Sequence, residues 1–172
     1  MAVAPEKIFA VLIGINNYRG QYNNVKNLYG CVRDVDIIDT LLTTTLRVPA
    51  GNVHTLTSPH GSTPETLPTK TNVLALIEEV AGRAVASGPG ALLFLHYSGH
   101  GMRTKTIYHK PENGGLKSAG AYYEGLCTLG EPLMDVELSN VLDGLNELGL
   151  TEAPIGTACI QALVVDMMPW TA

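Results

Sequence analysis

Two histidines and a serine stand together directly after an apolar stretch of the chain. The run His96-Tyr-Ser-Gly-His-Gly101 follows five apolar residues, and His100 lies between two glycines. Neighbouring glycines let the backbone turn and keep bulk away from the imidazole, which suits a histidine that exchanges protons with a substrate. The same spacing is equally typical of a polar turn at the end of a strand. Ser98 does not form a serine-hydrolase elbow, because Gly-x-Ser-x-Gly needs glycine where this chain has His96.

Two further candidate positions lie elsewhere in the chain. Cys31 and Asp34 stand three residues apart at the start of a predicted helix, so they share one face, while Arg33 points about a quarter of a turn away. A carboxylate in the first turn also stabilises the helix dipole without any further role. Asp166 ends the last apolar run and is followed by two methionines, the second of which is Met168.

The histidines and cysteines do not predict a metal site. His96 and His100 share a face only if the strand continues that far, no carboxylate flanks them, and His109 lies in an irregular stretch. The three cysteines are Cys31, Cys127 and Cys159. They lack the CxxC spacing of zinc sites, and an odd number of cysteines does not indicate a disulfide framework. This cysteine usage is typical of a reducing, intracellular compartment, and we predict a cytoplasmic protein.

The composition is that of one acidic globular unit. Of the 172 residues, 45% are hydrophobic and 16% are charged, which excludes a disordered chain and a coiled coil. The net charge of −5 provides no basic field for nucleic acid or an anionic membrane. No apolar run approaches the ~20 residues that a membrane span requires. We therefore predict a single domain over residues 1–172 that binds neither nucleic acid nor membrane.

Apolar strands alternate with amphipathic helices along the chain. Continuous apolar runs predict buried strands at 8–15, 91–95 and 162–165, and residues 52–56 are predicted to form a further short strand. A helical period predicts three helices, one from Cys31 and two capped by Thr71 and Asp135, and residues 103–130 are predicted to form a hairpin or a long loop. This order is typical of a mainly parallel α/β sheet with helices on both faces, whose chemistry gathers at the carboxyl ends of the strands.

Three motifs in this order resemble the caspase-like cysteine peptidases, in the metacaspase branch. They are Phe9-Ala-Val-Leu-Ile-Gly-Ile-Asn-Asn-Tyr18, Asn27-Leu-Tyr-Gly-Cys-Val-Arg-Asp34 and His96-Tyr-Ser-Gly-His-Gly101. The resemblance covers about Lys7 to Met168 and corresponds to the large-subunit half of the family's fold. It implies a three-layer sandwich with a mainly parallel sheet flanked by helices, incomplete at the C-terminus.

The resemblance implies a histidine–cysteine dyad that cleaves peptide bonds. The dyad histidine corresponds to His100, and the nucleophile would stand two residues after Asp166, where this chain has Met168. A thioether cannot ionise or take an acyl group, and neither Cys127 nor Cys159 stands at the right position. We therefore expect that the chain as written does not hydrolyse peptides.

The resemblance also implies a substrate and a pocket. In the family a basic P1 side chain enters an acidic pocket, whose residues here correspond to Cys31, Asp34, Ser98 and Asp166. The expected partner is a peptide or protein with Arg or Lys at P1. Metacaspases often need calcium. The acidic residues that follow His100 are Glu112, Glu124, Glu131 and Asp135, and they are not clustered in the sequence. We therefore expect no cofactor.

Two interpretations of the missing nucleophile stay open. The chain is either a truncated product or gene model of a metacaspase-like enzyme, or a pseudo-peptidase that binds and regulates an active relative. The last six residues resemble an arbitrary end, which favours truncation. In the complete fold the strand at 162–165 would have a neighbour on each side, so we expect self-association or pairing with a relative through its open edge.

Overall fold

The computed structural model describes residues 3–18, 22, 25–58, 67–105, 122–145 and 159–169. Within them six strands form one sheet, two more than the sequence predicts. The strands are β1 (Ile8–Ile15), β2 (Val53–Ser58), β3 (Leu92–Lys105), β4 (Tyr122–Leu126), β5 (Leu133–Met134) and β6 (Cys159–Pro169). The α-helices are α1 (Cys31–Thr40), α2 (Lys70–Ala86) and α3 (Asp135–Leu145). No helix in this part of the chain has the length and hydropathy needed to span a bilayer.

Strand β3 is the centre of the sheet, because it pairs with three other strands. Its residues 92–98 pair in parallel with β1, and its residues 101–105 pair antiparallel with β4. Residues 94–103 pair in parallel with β6, and this segment overlaps both of the others. A strand has only two edges, so β1 and β4 follow one another along one edge and β6 runs along the other. Strand β2 extends the sheet beyond β1, and β5 extends it beyond β4.

Helices cover both faces of this sheet. All eight residues of β1 are buried, and they alternate between two apolar cores. One core joins Ala10 and Leu12 to Val35 on α1. The other core joins the remaining face of β1 to α2 and α3. Helix α2 contributes the buried apolar residues Val73, Ile77, Val80 and Ala84, which recur with a helical period. Helix α3 contributes the partly buried Leu138, Val141 and Leu142. The predicted three-layer α/β architecture is confirmed.

Helix α2 begins earlier than the sequence pattern predicts. Its N-cap is Thr69 rather than Thr71, and the Thr69 hydroxyl accepts a hydrogen bond of 3.2 Å from the Asn72 N–H. An N-cap residue needs an extended backbone, and Thr69 is held extended by a parallel bridge to Leu129. The contact that fixes the start of α2 therefore comes from a distant part of the chain. In helix α3, Asp135 is the first helical residue rather than the cap that the sequence predicts.

Strand β3 is much longer than the predicted strand at 91–95. The sequence predicts His100 in a turn beyond the strand, but β3 continues to Lys105 with a register shift between Gly99 and His100. Pairing with β4 and β6 gives residues 99–105 the backbone partners that their polar sequence does not predict. Strands β3 and β4 form the antiparallel arms expected of a hairpin, whose residues 106–121 lie outside the described part of the chain.

Strand β6 is also longer than predicted. It spans eleven residues rather than 162–165, and Cys159 is its first residue instead of preceding it. The added length has the same cause as in β3, because ten residues of β6 pair with that neighbour.

Candidate active site

His100 is buried, and its ring hydrogen bond fixes where its proton lies. The Nε2 atom lies 2.9 Å from the backbone carbonyl oxygen of Lys26. A carbonyl oxygen can only accept, so Nε2 carries a hydrogen and donates it. In the neutral imidazole the lone pair is therefore on Nδ1, and Nδ1 has no hydrogen-bond partner among the described residues. This arrangement provides a buried base with one free nitrogen.

The backbone of His100 is held by groups from two other segments. Its N–H donates to the Tyr18 hydroxyl at 2.9 Å, and the Tyr18 ring meets the imidazole edge-on with 4.8 Å between centroids. Its carbonyl accepts a 2.9 Å hydrogen bond from the Cys127 N–H, just beyond β4. Burial raises the pKa of Tyr18, so this hydroxyl keeps its proton at neutral pH.

Gly99 is required for a reason that the sequence analysis did not predict. We expected the flanking glycines to make room around the imidazole. Instead, a Cβ atom at Gly99 would overlap the hydroxyl oxygens of both Tyr18 and Tyr97. Any larger residue at this position would have to displace the two tyrosine hydroxyls that lie against the β3 backbone.

Three of the four predicted pocket residues meet where α1 crosses the sheet. The Ser98 hydroxyl donates to Asp34 Oδ2 at 2.7 Å, and the Cys31 thiol lies close enough to Ser98 for its pKa to be affected. The helical spacing of Cys31 and Asp34 therefore predicted their shared face correctly, and Arg33 is exposed to solvent. Burial raises the pKa of Cys31, as does the Asp34 carboxylate, while the nearby Ser98 hydroxyl opposes them, so this thiol is neutral.

The start of α1 fits closely against β1. Gly14 packs against it so tightly that a Cβ there would lie 2.7 Å from the Cys31 carbonyl oxygen. The Cys31 N–H donates to the side chain of Asn16 at 2.9 Å, whereas the N-cap residue Gly30 offers no capping side chain. Asn16 therefore serves as the missing cap from just beyond β1.

The fourth predicted pocket residue lies on the strand beside His100. Asp166 is the register partner of His100 in the parallel pair of β3 and β6, and Met168 is the partner of Met102. The backbone of Met168, the predicted nucleophile position, thus lies on the strand next to β3, two residues beyond the register partner of His100. Cys159 pairs with Phe94 at the opposite end of β6, far from this position.

The other candidate thiol is buried and protonated. Burial raises the pKa of Cys127 from 9.0 to about 11, so little thiolate exists at neutral pH. His96 is also buried, and neither of its ring nitrogens has a hydrogen-bond partner among the described residues. Burial lowers the pKa of His96, and the Asp34 carboxylate acts in the opposite direction.

Two of the acidic residues considered for calcium form ion pairs with basic side chains. Glu124 pairs with Arg103 at 2.6 Å, and Glu131 pairs with Lys70 at 2.9 Å. Asp135 lies at the start of α3, and Glu112 lies outside the described residues. His109, considered with His96 and His100 for a metal, also lies outside the described residues. In the described part of the chain no three His, Cys, Asp or Glu side chains are grouped as metal ligands.

Sequence reasoning missed the Lys26 carbonyl and the Tyr97 hydroxyl. Tyr97 donates to the His100 carbonyl at 2.7 Å, and the sequence pattern assigned this residue no role. A backbone carbonyl leaves no signal in a sequence, because every residue has one.

Known proteins resemble this chain in sequence. Residues 9–145 match the family model described as metacaspase, peptidase C14 domain. The chain is 30% identical over 158 residues to Metacaspase-1 of Eremothecium gossypii, covering 92% of this chain and 32% of the relative. It is 33% identical over 103 residues to Metacaspase-9 of Arabidopsis thaliana, covering 59% of this chain and 29% of that relative.

A solved structure agrees with the fold. A crystal structure of a Geobacter sulfurreducens protein superposes with a TM-score of 0.56 at 21% identity, covering 94% of this chain and 50% of that one. The chain spans about a third of the length of the curated relatives it matches. Since the family model covers most of the chain, and its match includes the strand that carries His100, the chain belongs to the metacaspase, peptidase C14 domain family.

Proposed function

We propose that this chain is a metacaspase-type domain that binds peptides through a basic P1 residue and does not itself hydrolyse them. The observation that carries the proposal is the Nδ1 atom of His100, which has no hydrogen-bond partner in the described part of the chain and belongs to the strand beside the one that bears Met168. A dyad histidine needs one nitrogen anchored and the other open to the nucleophile. His100 has Nε2 anchored on the Lys26 carbonyl and Nδ1 without a hydrogen-bond partner among the described residues, which supports this role. A methionine sulfur, by contrast, has no proton to give and cannot hold an acyl group.

The preference for a basic residue is supported by the charge near Ser98. The Asp34 carboxylate faces the interior beside buried Cys31 and Ser98, and Arg33, the neighbouring cation, is exposed. A guanidinium can pair with a carboxylate through two parallel hydrogen bonds. The register of Asp166 beside His100 adds a second carboxylate-bearing residue to the same region.

Peptide hydrolysis tests the absence of activity. The purified chain should not cleave fluorogenic peptides that end in Arg or Lys, with or without calcium, because loss of a dyad nucleophile typically removes about 10⁶-fold in rate. Turnover that disappears in His100→Ala would show that a nucleophile is present and would refute this part of the proposal.

Restoring a thiol tests the position of the nucleophile. In Met168→Cys we expect iodoacetamide to react at pH 6 at least about tenfold faster than in the neighbouring control Met167→Cys, because an adjacent imidazole stabilises the thiolate. The added substitution His100→Ala should remove the difference. Equal rates in the two cysteine variants would mean that residue 168 is not next to the imidazole.

Binding tests the pocket. A peptide amide ending in Arg should bind more tightly than the same peptide ending in citrulline, measured by calorimetry. Asp34→Asn should weaken the Arg peptide about tenfold or more, since a hydrogen bond to a charged group is lost. The control Asp36→Asn changes an exposed carboxylate on the same helix and should leave affinity unchanged. Equal binding of the Arg and citrulline peptides would refute the basic preference.

A second candidate function is regulation of an active relative by strand pairing. It is supported by β6, whose outer edge has no paired strand among the described residues. Such an edge offers backbone N–H and C=O groups to another chain. Micromolar affinity for a purified active metacaspase, measured by calorimetry, would favour this function, and a lack of binding at that concentration would exclude it.

A further inference from the structure

Three hydrogen bonds surround the backbone of His100. The His100 N–H donates to the Tyr18 hydroxyl at 2.9 Å, and the Tyr18 and Tyr97 hydroxyl oxygens lie 3.1 Å apart. The Tyr97 hydroxyl lies 2.7 Å from the His100 carbonyl oxygen and 3.0 Å from that of Cys127. Both tyrosines are buried.

Counting protons determines the direction of each bond. A tyrosine hydroxyl has a single hydrogen, and two carbonyl oxygens, which can only accept, lie within reach of the Tyr97 hydroxyl. Its hydrogen therefore goes to a carbonyl, and the bond between the two hydroxyls must be donated by Tyr18. Burial raises the pKa of both tyrosines, so both hydrogens are present. The bonds form a closed ring from the His100 N–H through Tyr18 and Tyr97 to the His100 carbonyl.

The ring lies where the β3 ladder is irregular. The register between β3 and β6 shifts between Gly99 and His100, and such a shift interrupts regular backbone pairing. The two hydroxyls supply partners to the His100 peptide groups at this point. They can do so because Gly99 has no side chain, since a Cβ there would overlap both hydroxyl oxygens.

We propose that Tyr18 and Tyr97 are positioning residues whose hydroxyl ring fixes the His100 backbone, so that the imidazole holds Nε2 on the Lys26 carbonyl and turns Nδ1 to the nucleophile position. The role of Nδ1 rests on the proposed function, whereas the ring itself does not. The Tyr18 ring edge against the imidazole adds a second constraint on the same group. Bonds that all run in one direction strengthen one another, so loss of one hydroxyl should loosen the whole ring.

Amide exchange and imidazole NMR test the ring in the unmodified chain and in two isosteric variants. In Tyr18→Phe and in Tyr97→Phe we expect the His100 amide to exchange about tenfold faster and its ring signals to shift or broaden. The control Tyr22→Phe also loses a hydroxyl bond, the half-buried one to the Thr128 carbonyl, but should not change the His100 signals. Unchanged His100 signals in Tyr18→Phe would overturn the proposal.

A measurement on the unmodified chain covers the case in which a variant does not fold. Slowly exchanging hydroxyl protons of Tyr18 and Tyr97 should be visible, with a nuclear Overhauser contact between the Tyr18 hydroxyl and the His100 amide. Rapid exchange of both hydroxyl protons with water would overturn the ring.

Thiol reactivity then separates positioning from simple stability. In Met168→Cys, adding Tyr18→Phe should reduce the alkylation rate at pH 6 about tenfold, toward the rate of Met167→Cys, while adding Tyr22→Phe should not. Unchanged reactivity after Tyr18→Phe would refute the positioning role. If Met168→Cys reacts no faster than Met167→Cys from the start, the proposed nucleophile position is wrong, and the NMR result on the ring still decides this inference.

Discussion

Ser98 donates its hydroxyl hydrogen to the carboxylate of Asp34 across 2.7 Å, which ties β3 to the first turn of α1. The two residues are 64 positions apart in the sequence, and Ser98 is completely buried. A hydrogen bond to a charged group inside a protein contributes more than one between neutral groups. This bond therefore holds the predicted pocket together and keeps a carboxylate beside the strand that bears His100.

A double-mutant cycle measures that bond. Ser98→Ala should lower the free energy of unfolding by about 1–3 kcal/mol, because it leaves the Asp34 carboxylate without this donor. Combining it with Asp34→Asn should cost less than the sum of the two single changes, as expected for residues in contact. Urea unfolding gives all four values. Additive losses would indicate that Ser98 and Asp34 do not interact in solution.

Gly99 and Gly82 form a matched pair for a second experiment. Gly99→Ala should destabilise the protein by about 2–4 kcal/mol, since the new methyl group would displace the hydroxyls of Tyr18 and Tyr97. Gly82 lies inside α2 with no atom close to its missing side chain, so Gly82→Ala should stabilise the helix by about 0.5–1 kcal/mol. Thermal melts of both variants test this contrast. A similar small shift for both would contradict the close packing at Gly99.

Cys127 predicts a loss of stability in alkaline solution. Its pKa is about 11 in the folded chain against 9.0 ordinarily, because burial disfavours the thiolate. A raised pKa of this kind contributes stability that is fully present below pH 9 and is lost as the pH rises from 9 to 11, by about 3 kcal/mol. Burial also raises the pKa of the Cys31 thiol and of the Tyr18 hydroxyl, so both groups add to the loss of stability in alkaline solution.

The control for this pH effect is Cys127→Ala. The variant lacks the thiol, so its free energy of unfolding should fall less steeply between pH 9 and pH 11 than that of the parent chain. Denaturant unfolding at several pH values compares the slopes. Parallel slopes would mean that Cys127 titrates with an ordinary pKa.

An ion pair links α2 to α3 and predicts a modest acid effect. The Lys70 ammonium lies 2.8 Å from Glu137 Oε1, and the Glu137 carboxylate also accepts from the Met134 N–H at 3.0 Å. The Lys70 hydrogen bond, followed by that backbone bond, lowers the pKa of Glu137. The Glu137 carboxylate therefore stabilises the fold fully above its ordinary pKa. This contribution is lost as the pH falls through the lowered pKa of the folded chain.

Glu137→Gln isolates the charge, because the amide oxygen can still accept from Met134. Glu137 is 41% exposed, so solvent screens the pair, and the loss should be about 0.5–1 kcal/mol at neutral pH. The loss should shrink in high salt. Thermal melts with Glu79→Gln, an exposed carboxylate on α2, provide the control. An equal change in the two variants would show that the pair contributes nothing specific.

Local periodicity let the sequence alone determine much of this protein. The apolar run at 8–15 is a strand buried on both faces, because only such a strand tolerates eight apolar residues in succession. Helical spacing predicted that Cys31 and Asp34 share one face of α1. In the structure Asp34 accepts a hydrogen bond from Ser98, and Cys31 lies near the same serine. The three motifs also indicated the family to which the chain belongs.

Only the tertiary structure decided how His100 is held. The Tyr18 hydroxyl that accepts from its backbone lies 82 positions away, and the Lys26 oxygen on its ring belongs to the backbone, so neither contact has a sequence signal. The length of β3 was decided in the same way, because pairing with β4 and β6 supplied hydrogen-bond partners that local composition does not predict. A sequence specifies which side chains are available and their local period, whereas contacts between distant segments depend on how the sheet brings them together.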